Sequence, residues 1–200
     1  FDVDADGMLE TTGWVGPDDG LLAMDLDGSG QIEDMTEVFS EVFNGGNYTD
    51  SLAALATLDT NADQVISAED TQFDEILVWQ DGDSDGVSTD AELSTLTDHG
   101  ISALDLDATA SDETVSGNTI DAVGTVEFDD ATTGTFAEVT FVLDGAPTTF
   151  TLGGIISSGT EAMVEATEPE FFVVEPVTDT PVAITETVSY THLRAHETDS

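Results

Sequence analysis

Apolar residues recur at helical spacing in four short stretches of the chain. These stretches are residues 34–43, 51–58, 68–80 and 93–97, in which apolar side chains fall three or four positions apart. Such spacing places the side chains on one face of a helix. The pattern therefore predicts four short amphipathic helices, each next to an acidic stretch.

After residue 100 the hydrophobic period shortens. Residues 101–106 have the composition of a strand, and residues 123–128 and 136–143 alternate apolar with polar side chains. The polar stretch 129–134 lies between the two alternating runs. Two such runs around a polar turn predict a β-hairpin, which we expect to cover the helical part.

The acidic residues of residues 81–92 fall in a fixed register. Aspartate stands at positions 1, 3 and 5, glycine at position 6 and glutamate at position 12. This is the calcium-loop pattern of an EF-hand, in which carboxylates and one backbone carbonyl supply hard oxygen ligands. An acidic surface turn is the alternative, but it leaves the register unexplained. The predicted ligands of this fourth loop are Asp81, Asp83, Asp85, the carbonyl of Val87, and Glu92.

Three earlier stretches repeat the register with departures. The third loop has Gln64 at position 6, the second has its glutamate at position 13, and the first has Gly13 at position 12. In the fourth loop Ser88 stands at position 8, where a branched apolar residue is usual. A non-glycine residue held in the left-handed region is strained by about 1–2 kcal/mol, so the third loop should bind more weakly than the fourth. The predicted ligands are Asp59, Asn61, Asp63, Val65 and Asp70 in the third loop, Asp25, Asp27, Ser29, Gln31 and Glu37 in the second, and Asp2, Asp4, Asp6 and Met8 in the first.

These patterns predict an α+β fold. It would combine EF-hand-like helix–loop–helix calcium loops with a small antiparallel β-hairpin region, followed by a disordered acidic tail. The third and fourth loops start 22 residues apart, so we expect them to share helix 68–80 and lie back to back. The expected domains are an N-terminally truncated calcium-binding module at 1–144, an acidic linker rich in Pro and Thr at 145–187, and a non-native tail at 188–200.

The charge of the chain is extreme. It has 44 acidic residues and one basic residue, for a formal net charge of −43. Nucleic acid and anionic membranes are therefore excluded as expected partners, because both require Lys and Arg. Four bound Ca²⁺ ions would offset only about eight of these charges, so the excess predicts a halophilic or marine surface. There is no cysteine, and no apolar run is long enough to predict a membrane span.

The order of motifs resembles the calcium-binding module of large bacterial repeats-in-toxin (RTX) proteins exported by type I secretion. The resemblance covers residues 1–144 and rests on "FDVDADGMLETTGWVGPDDGLLAMDLDGSGQIED", "LAALATLDTNADQVISAED", "ILVWQDGDSDGVSTDAEL" and "HGISALDLDA". Relatives include the self-processing module of iron-regulated RTX proteins. The resemblance implies calcium ions as cofactor and partner, an extracellular or cell-surface location, and a place in a larger secreted polypeptide.

Two alternatives to a purely calcium-binding module remain open. In the self-processing relatives calcium-driven folding precedes cleavage of an Asp–Pro bond, and this sequence contains no Asp–Pro pair. A dockerin-like interaction module is suggested by the 22-residue offset of two loops. The sequence has no zinc pattern, phosphate loop or activated nucleophile, so we predict that this chain is not itself an enzyme.

Residues 188–198 do not match the rest of the chain. They contain its only arginine, Arg194, and two of its three histidines, His192 and His196. This segment resembles the translation of a sequencing-library adapter. We therefore predict no metal site there.

Overall fold

The computed structural model describes residues 1–3, 14–115, 118–142 and 149–157. These residues form mainly antiparallel β-structure with one short helix, α1, which continues as a 3-10 turn over Ala56–Leu58. Further 3-10 turns cover Phe43–Gly45, Phe73–Glu75 and Thr97–His99. The elements are α1 (Ser51–Leu55) and strands β1 (Asp19–Ala23), β2 (Val65–Ser67), β3 (Leu77–Trp79), β4 (Leu93–Thr95), β5 (Ile101–Val115), β6 (Asn118–Phe128), β7 (Thr133–Val142) and β8 (Thr149–Ser157).

The strands are hydrogen-bonded in the order β2-β5-β6-β7-β8-β1-β3-β4, and every pairing is antiparallel. Strand β1 joins two sheets, because its first two residues pair with β8 and its last three pair with β3. The long strands β5 to β8 thus form one sheet, and the short strands β3 and β4 extend from its end.

Strand β1 is buried on both faces. Leu22 belongs to a core cluster with Phe39, Leu104 and Phe136, whereas Leu21 belongs to a second cluster with Trp79. Leu21 and Leu22 are both fully inaccessible to solvent. A strand covered on both faces has a continuous apolar run instead of an alternating one, as the sequence Leu21-Leu22-Ala23-Met24 has. The two cores therefore meet at this strand.

The predicted α+β fold with helix–loop–helix calcium loops is wrong. Of the four predicted helices, only residues 51–58 are helical. Residues 68–80 contain a 3-10 turn and strand β3, and residues 93–97 begin with strand β4. The third and fourth loops therefore share no helix, and the basis for a dockerin-like arrangement is lost.

Pairing with β1 explains why residues 34–43 are not helical. The Met24 N–H donates to the Glu37 carbonyl at 2.7 Å, and the Phe39 N–H donates to the Leu22 carbonyl at 3.1 Å. An isolated bridge also joins Ala23 to Val38. These backbone groups would otherwise bond within a helix. Met35, Val38, Phe39 and Phe43 are nevertheless buried, so the hydrophobic periodicity correctly identifies core residues although it predicts the wrong backbone conformation.

The predicted β-hairpin is present and longer than expected. Strands β6 and β7 pair from Thr119 with Thr140 to Glu127 with Thr133. They belong to the main sheet and do not form a small cover. Residues 149–157, which the sequence placed in the linker, form β8 and pair with both β7 and β1. No helix among the described residues is long and apolar enough to cross a membrane.

Candidate metal centre

The first aspartate of each described loop organises the backbone in the same way. Its carboxylate accepts N–H groups from loop positions 5 and 6 in all three loops, and from position 4 in the second and third. The donors are Gly28, Ser29 and Gly30 to Asp25, Ala62, Asp63 and Gln64 to Asp59, and Asp85 and Gly86 to Asp81. A carboxylate has about four lone-pair sites, so each aspartate retains acceptor capacity for a cation.

The side chain at position 5 holds the peptide that follows it. Its oxygen accepts the N–H of position 7 in each described loop, from Gln31 to Ser29, from Val65 to Asp63 and from Val87 to Asp85. Position 7 is the residue whose carbonyl was predicted as a ligand. The loop therefore orients both the side chains and the carbonyl peptide through its own hydrogen bonds.

The closing acid is held identically in the three loops. Its two carboxylate oxygens accept N–H groups from positions 2 and 9. The donors are Leu26 and Glu33 to Glu37, Thr60 and Ser67 to Asp70, and Gly82 and Thr89 to Glu92. Glu37 makes these contacts although it is displaced by one position in the sequence. The displacement therefore does not remove the closing carboxylate from the second loop.

Carboxylate oxygens converge in two of the three described loops. Asp25, Asp27 and Glu37 each place an oxygen within 4.8 Å of the others, and Asp81, Asp83 and Glu92 do the same. Oxygen ligands of Ca²⁺ lie at about 2.3–2.6 Å from the ion, so two ligands of one ion are at most about 5 Å apart. The donor type and spacing therefore fit calcium.

Like charges perturb both acidic groups. Repulsion from Asp85, with smaller contributions from burial, Glu92 and Asp81, raises the pKa of Asp83 above its usual value. Burial is the main cause that raises the pKa of Glu37, and neighbouring aspartates add to it. A bound cation would relieve this repulsion. The groups are therefore electrostatically suited to a positive ligand.

The third loop differs in its electrostatics. Burial alone would raise the pKa of Asp70, but hydrogen bonds from Ser67 and Thr60 outweigh it, so the pKa lies below its usual value. At position 3 the amide nitrogen of Asn61 donates to Asp63 at 2.9 Å. Hydrogen bonds within the loop therefore stabilise part of its negative charge without a cation.

Gln64 adopts the strained conformation that its position requires. Its φ angle is +71°, its side chain is exposed, and its N–H and carbonyl bond to Asp59 and Leu106. Both backbone bonds are available to glycine.

We expect Gln64→Gly to raise the free energy of unfolding by about 0.5–1 kcal/mol, because relief of left-handed strain exceeds the entropic cost of glycine. Urea denaturation at one fixed calcium concentration measures this change. Gln64→Ala is the matched control and should bring no gain, since it keeps the β-carbon. An equal gain from alanine would contradict the explanation by strain.

Only part of the predicted first loop falls in the described residues. Asp2 is 7% exposed, and its carbonyl accepts the Met35 N–H at 3.1 Å. Asp4, Asp6 and Met8 lie outside the described residues, as does the tail at 188–200. Their assignment as ligands stays a prediction.

The fourth loop is anchored to an aromatic cluster that sequence reasoning missed. The indole Nε1–H of Trp14 donates to Asp81 Oδ2 at 2.7 Å, and Asp81 is fully inaccessible to solvent. The rings of Phe1, Trp14 and Trp79 lie 5.3–5.5 Å apart, centroid to centroid. The sequence offers one hint of this contact, because a buried Trp usually has a hydrogen-bond partner for its N–H group. Its partner, 67 residues away, could not be read from the sequence.

The two tryptophans of this cluster should respond to the same substitution with losses of different size. Trp14→Phe removes a hydrogen bond to a charged group, which contributes about 1.5–3 kcal/mol. Trp79→Phe removes an Nε1–H that is buried without a partner among the described residues. We therefore expect Trp14→Phe to destabilise the chain by about 2 kcal/mol more than Trp79→Phe, although Trp79 is the more buried residue. Urea denaturation at fixed calcium measures both, and a larger loss for Trp79→Phe would refute this assignment.

The comparisons with known proteins identify the family of the chain. Residues 1–142 match the SPM domain family. The chain belongs to this family. One curated relative to which the chain is similar is iron-regulated protein FrpA of Neisseria meningitidis serogroup C, which is 37% identical over 154 residues. The match covers 75% of this chain and 14% of FrpA.

These relationships fit the predicted kinship with a module of iron-regulated RTX proteins. The chain spans only a small part of its relative, so the relative as a whole is much larger than one SPM domain.

Proposed function

We propose that this chain is a calcium-binding module whose folding is driven by the ion. The observation that carries the proposal is the hydrogen-bond scheme repeated in the second, third and fourth loops. In each loop the first aspartate gathers the turn and the closing acid bonds to positions 2 and 9. Unrelated acidic turns have no reason to share this scheme.

Asp25, Asp27 and Glu37 would hold one ion and Asp81, Asp83 and Glu92 another. Position 5 and the position 7 carbonyl would complete each shell, namely Ser29 and Gln31 in the second loop and Asp85 and Val87 in the fourth. Calcium takes six to eight oxygens, and water supplies those that the protein does not. Asp59, Asn61, Asp63, Val65 and Asp70 would form a weaker third site.

The linkage between binding and folding follows from the charge. With 44 acidic residues and one basic residue, the metal-free chain repels itself, most strongly where carboxylates converge. Calcium binds the folded loops and has little affinity for the unfolded chain, so it shifts the equilibrium toward the folded state. The remaining negative charge suits a salt-rich, marine or halophilic setting.

We further propose that the module is part of a large secreted RTX-type bacterial protein. The 37% identity to FrpA over 154 residues supports this placement. Low calcium in the cytosol would leave the loops empty before type I secretion. Millimolar calcium outside the cell would then fill sites of the extracellular class, whose Kd is about 10⁻⁴–10⁻³ M.

Glu92→Gln is the test of calcium coordination. The substitution preserves size but removes the charge and weakens two-oxygen closure of the fourth loop. We expect calcium affinity at this loop to fall at least about tenfold, equivalent to about 1.4 kcal/mol. Isothermal titration calorimetry at matched ionic strength measures the change.

Asp112→Asn is the matched control for the loss of one charge. Asp112 is exposed on β5 and lies outside every loop, so its neutralisation should leave calcium affinity almost unchanged. If the two variants lose affinity equally, bulk negative charge governs the response and the proposed sites fail.

A second candidate function is support of self-processing. The match to the SPM domain family favours it, because the resembling modules of iron-regulated RTX proteins cleave an Asp–Pro bond after calcium-driven folding. The 200 residues contain no Asp–Pro pair, so the scissile bond would have to lie elsewhere in a longer polypeptide. Appending an N-terminal segment with Asp–Pro and testing for calcium-dependent cleavage by gel distinguishes this candidate from calcium binding alone.

A further inference from the structure

The second and fourth loops meet at the same loop position. Ile32 and Ser88 both stand at position 8, and they are 2% and 1% exposed, respectively. The Ser88 hydroxyl accepts the Ile32 N–H at 2.6 Å and donates to the Ile32 carbonyl at 3.2 Å. The side chain of Gln31 donates to the Ser88 carbonyl at 3.1 Å. One buried hydroxyl therefore uses both hydrogen-bonding roles to join the two loops.

The Ser88 contact acts on a peptide group that matters for ion binding. The Ile32 N–H belongs to the same planar peptide as the Gln31 carbonyl, so fixing one orients the other. The Gln31 carbonyl accepts the Ser29 hydroxyl at 3.3 Å, which places it on the side of the position 5 ligand. Ser88 thus orients the proposed carbonyl ligand of the neighbouring loop.

The same residue is tied to its own loop. Ser88 directly follows Val87, whose carbonyl is the proposed position 7 ligand of the fourth loop. Because an ion in the fourth loop would fix the Val87 peptide, it would also fix Ser88. The path from one proposed site to the other then consists of two peptide groups and one hydroxyl.

Among the described residues, the third loop makes no equivalent contact. Its position 8 residue, Ile66, lies in β2 and pairs with Leu104 of β5. Any communication through position 8 should therefore exclude the third loop, which gives an internal control.

Resting on the proposed calcium binding, we infer that Ser88 is a positioning residue that couples the second and fourth loops. Calcium in either loop raises the affinity of the other, and the third loop binds independently. Coupling between sites is reciprocal and is commonly at least about fivefold in affinity. This role explains why a hydroxyl replaces the usual branched apolar residue at position 8 of the fourth loop.

Amide chemical shifts read each loop separately. The N–H groups of Gly30, Gln64 and Gly86 all bond to the first aspartate of their loops, so calcium titrations followed by ¹H–¹⁵N NMR report the three loops independently. Glu92→Gln is expected to lower calcium affinity at Gly30 at least about fivefold. In a chain that also carries Ser88→Ala, Glu92→Gln should change the calcium affinity read at Gly30 by less than about twofold.

Asp70→Asn in the third loop controls for charge. It removes the same charge from a loop without the Ser88 contact, and it should leave the Gly30 titration unchanged. Gln31→Ala alters only an exposed side chain of the contact and should reduce coupling partially. It also serves as the second variant if Ser88→Ala does not fold, as judged by loss of the Gln64 titration.

Three outcomes overturn the inference. If Asp70→Asn and Glu92→Gln lower the calcium affinity read at Gly30 equally, bulk charge and not a contact between the loops explains the effect. Unchanged coupling in Ser88→Ala, or in Gln31→Ala where Ser88→Ala does not fold, would remove the role of the contact while leaving calcium binding intact. Absence of saturable calcium-dependent shifts at Gly30 and Gly86 in the unaltered chain would overturn both the coupling and the proposed function.

Discussion

Asp81→Ala is expected to lower calcium affinity at the fourth loop at least about a hundredfold, equivalent to about 2.7 kcal/mol. Asp81 is fully buried, and its carboxylate is oriented by the N–H groups of Trp14, Asp85 and Gly86. A ligand held by three donors loses little freedom when the ion binds. Alanine removes both this oriented oxygen and the acceptor around which the loop turns. Calorimetric titration of Asp81→Ala and of the unaltered chain at matched ionic strength measures the loss.

Asp83→Ala is the matched comparison in the same loop. Asp83 is exposed, and repulsion from Asp85 raises its pKa. Because calcium readily keeps water ligands, water can replace this carboxylate, and the loss should be nearer about tenfold. Equal losses for the two substitutions would show that burial and orientation of Asp81 do not matter.

The acidic register could be predicted because each loop is built from local contacts. Every backbone N–H group that the first aspartate accepts within its loop lies at most five residues away, as with Gly30 to Asp25 and Gly86 to Asp81. The identities of the polar residues and their spacing are then sufficient to outline the loop. The residue type alone predicts Glu37 as a ligand, and the structure shows that it accepts the same two loop N–H groups as Glu92 does in the fourth loop.

The flanking helices could not be predicted because their apolar pattern is ambiguous over short lengths. Stretches of about ten residues or fewer can bury the same side chains as a helix or as paired extended chain. In residues 34–43 and 77–79 the decisive factor is β1, whose backbone groups lie far away in the sequence and accept or donate the hydrogen bonds. The EF-hand pattern describes the loop, and it does not by itself dictate the elements on either side.

The contacts between loops were beyond prediction for the same reason. Sequence spacing favoured pairing of the third and fourth loops, whereas the structure pairs the second and fourth through residues 56 positions apart. Ser88 was visible as a departure from the usual residue, and Trp14 as an aromatic residue that needs a partner. Neither signal names the partner, because the residue type and its spacing do not indicate which distant group will lie nearby in the fold.

Calcium is expected to stabilise the chain by far more than screening does. At a free concentration a hundredfold above its Kd, one ion that binds only the folded state contributes about 2.7 kcal/mol, so the second and fourth loops together contribute roughly 5 kcal/mol. Sodium chloride at matched ionic strength, with a chelator present, screens repulsion among the carboxylates but cannot bring Asp81 and Glu92 into one coordination shell. Urea denaturation followed by near-ultraviolet circular dichroism reports this difference, because Trp14 and Trp79 pack against Phe1 only in the folded chain. If sodium chloride with chelator restored the full tryptophan signal and the same free energy of unfolding, salt and not coordinated calcium would organise the fold.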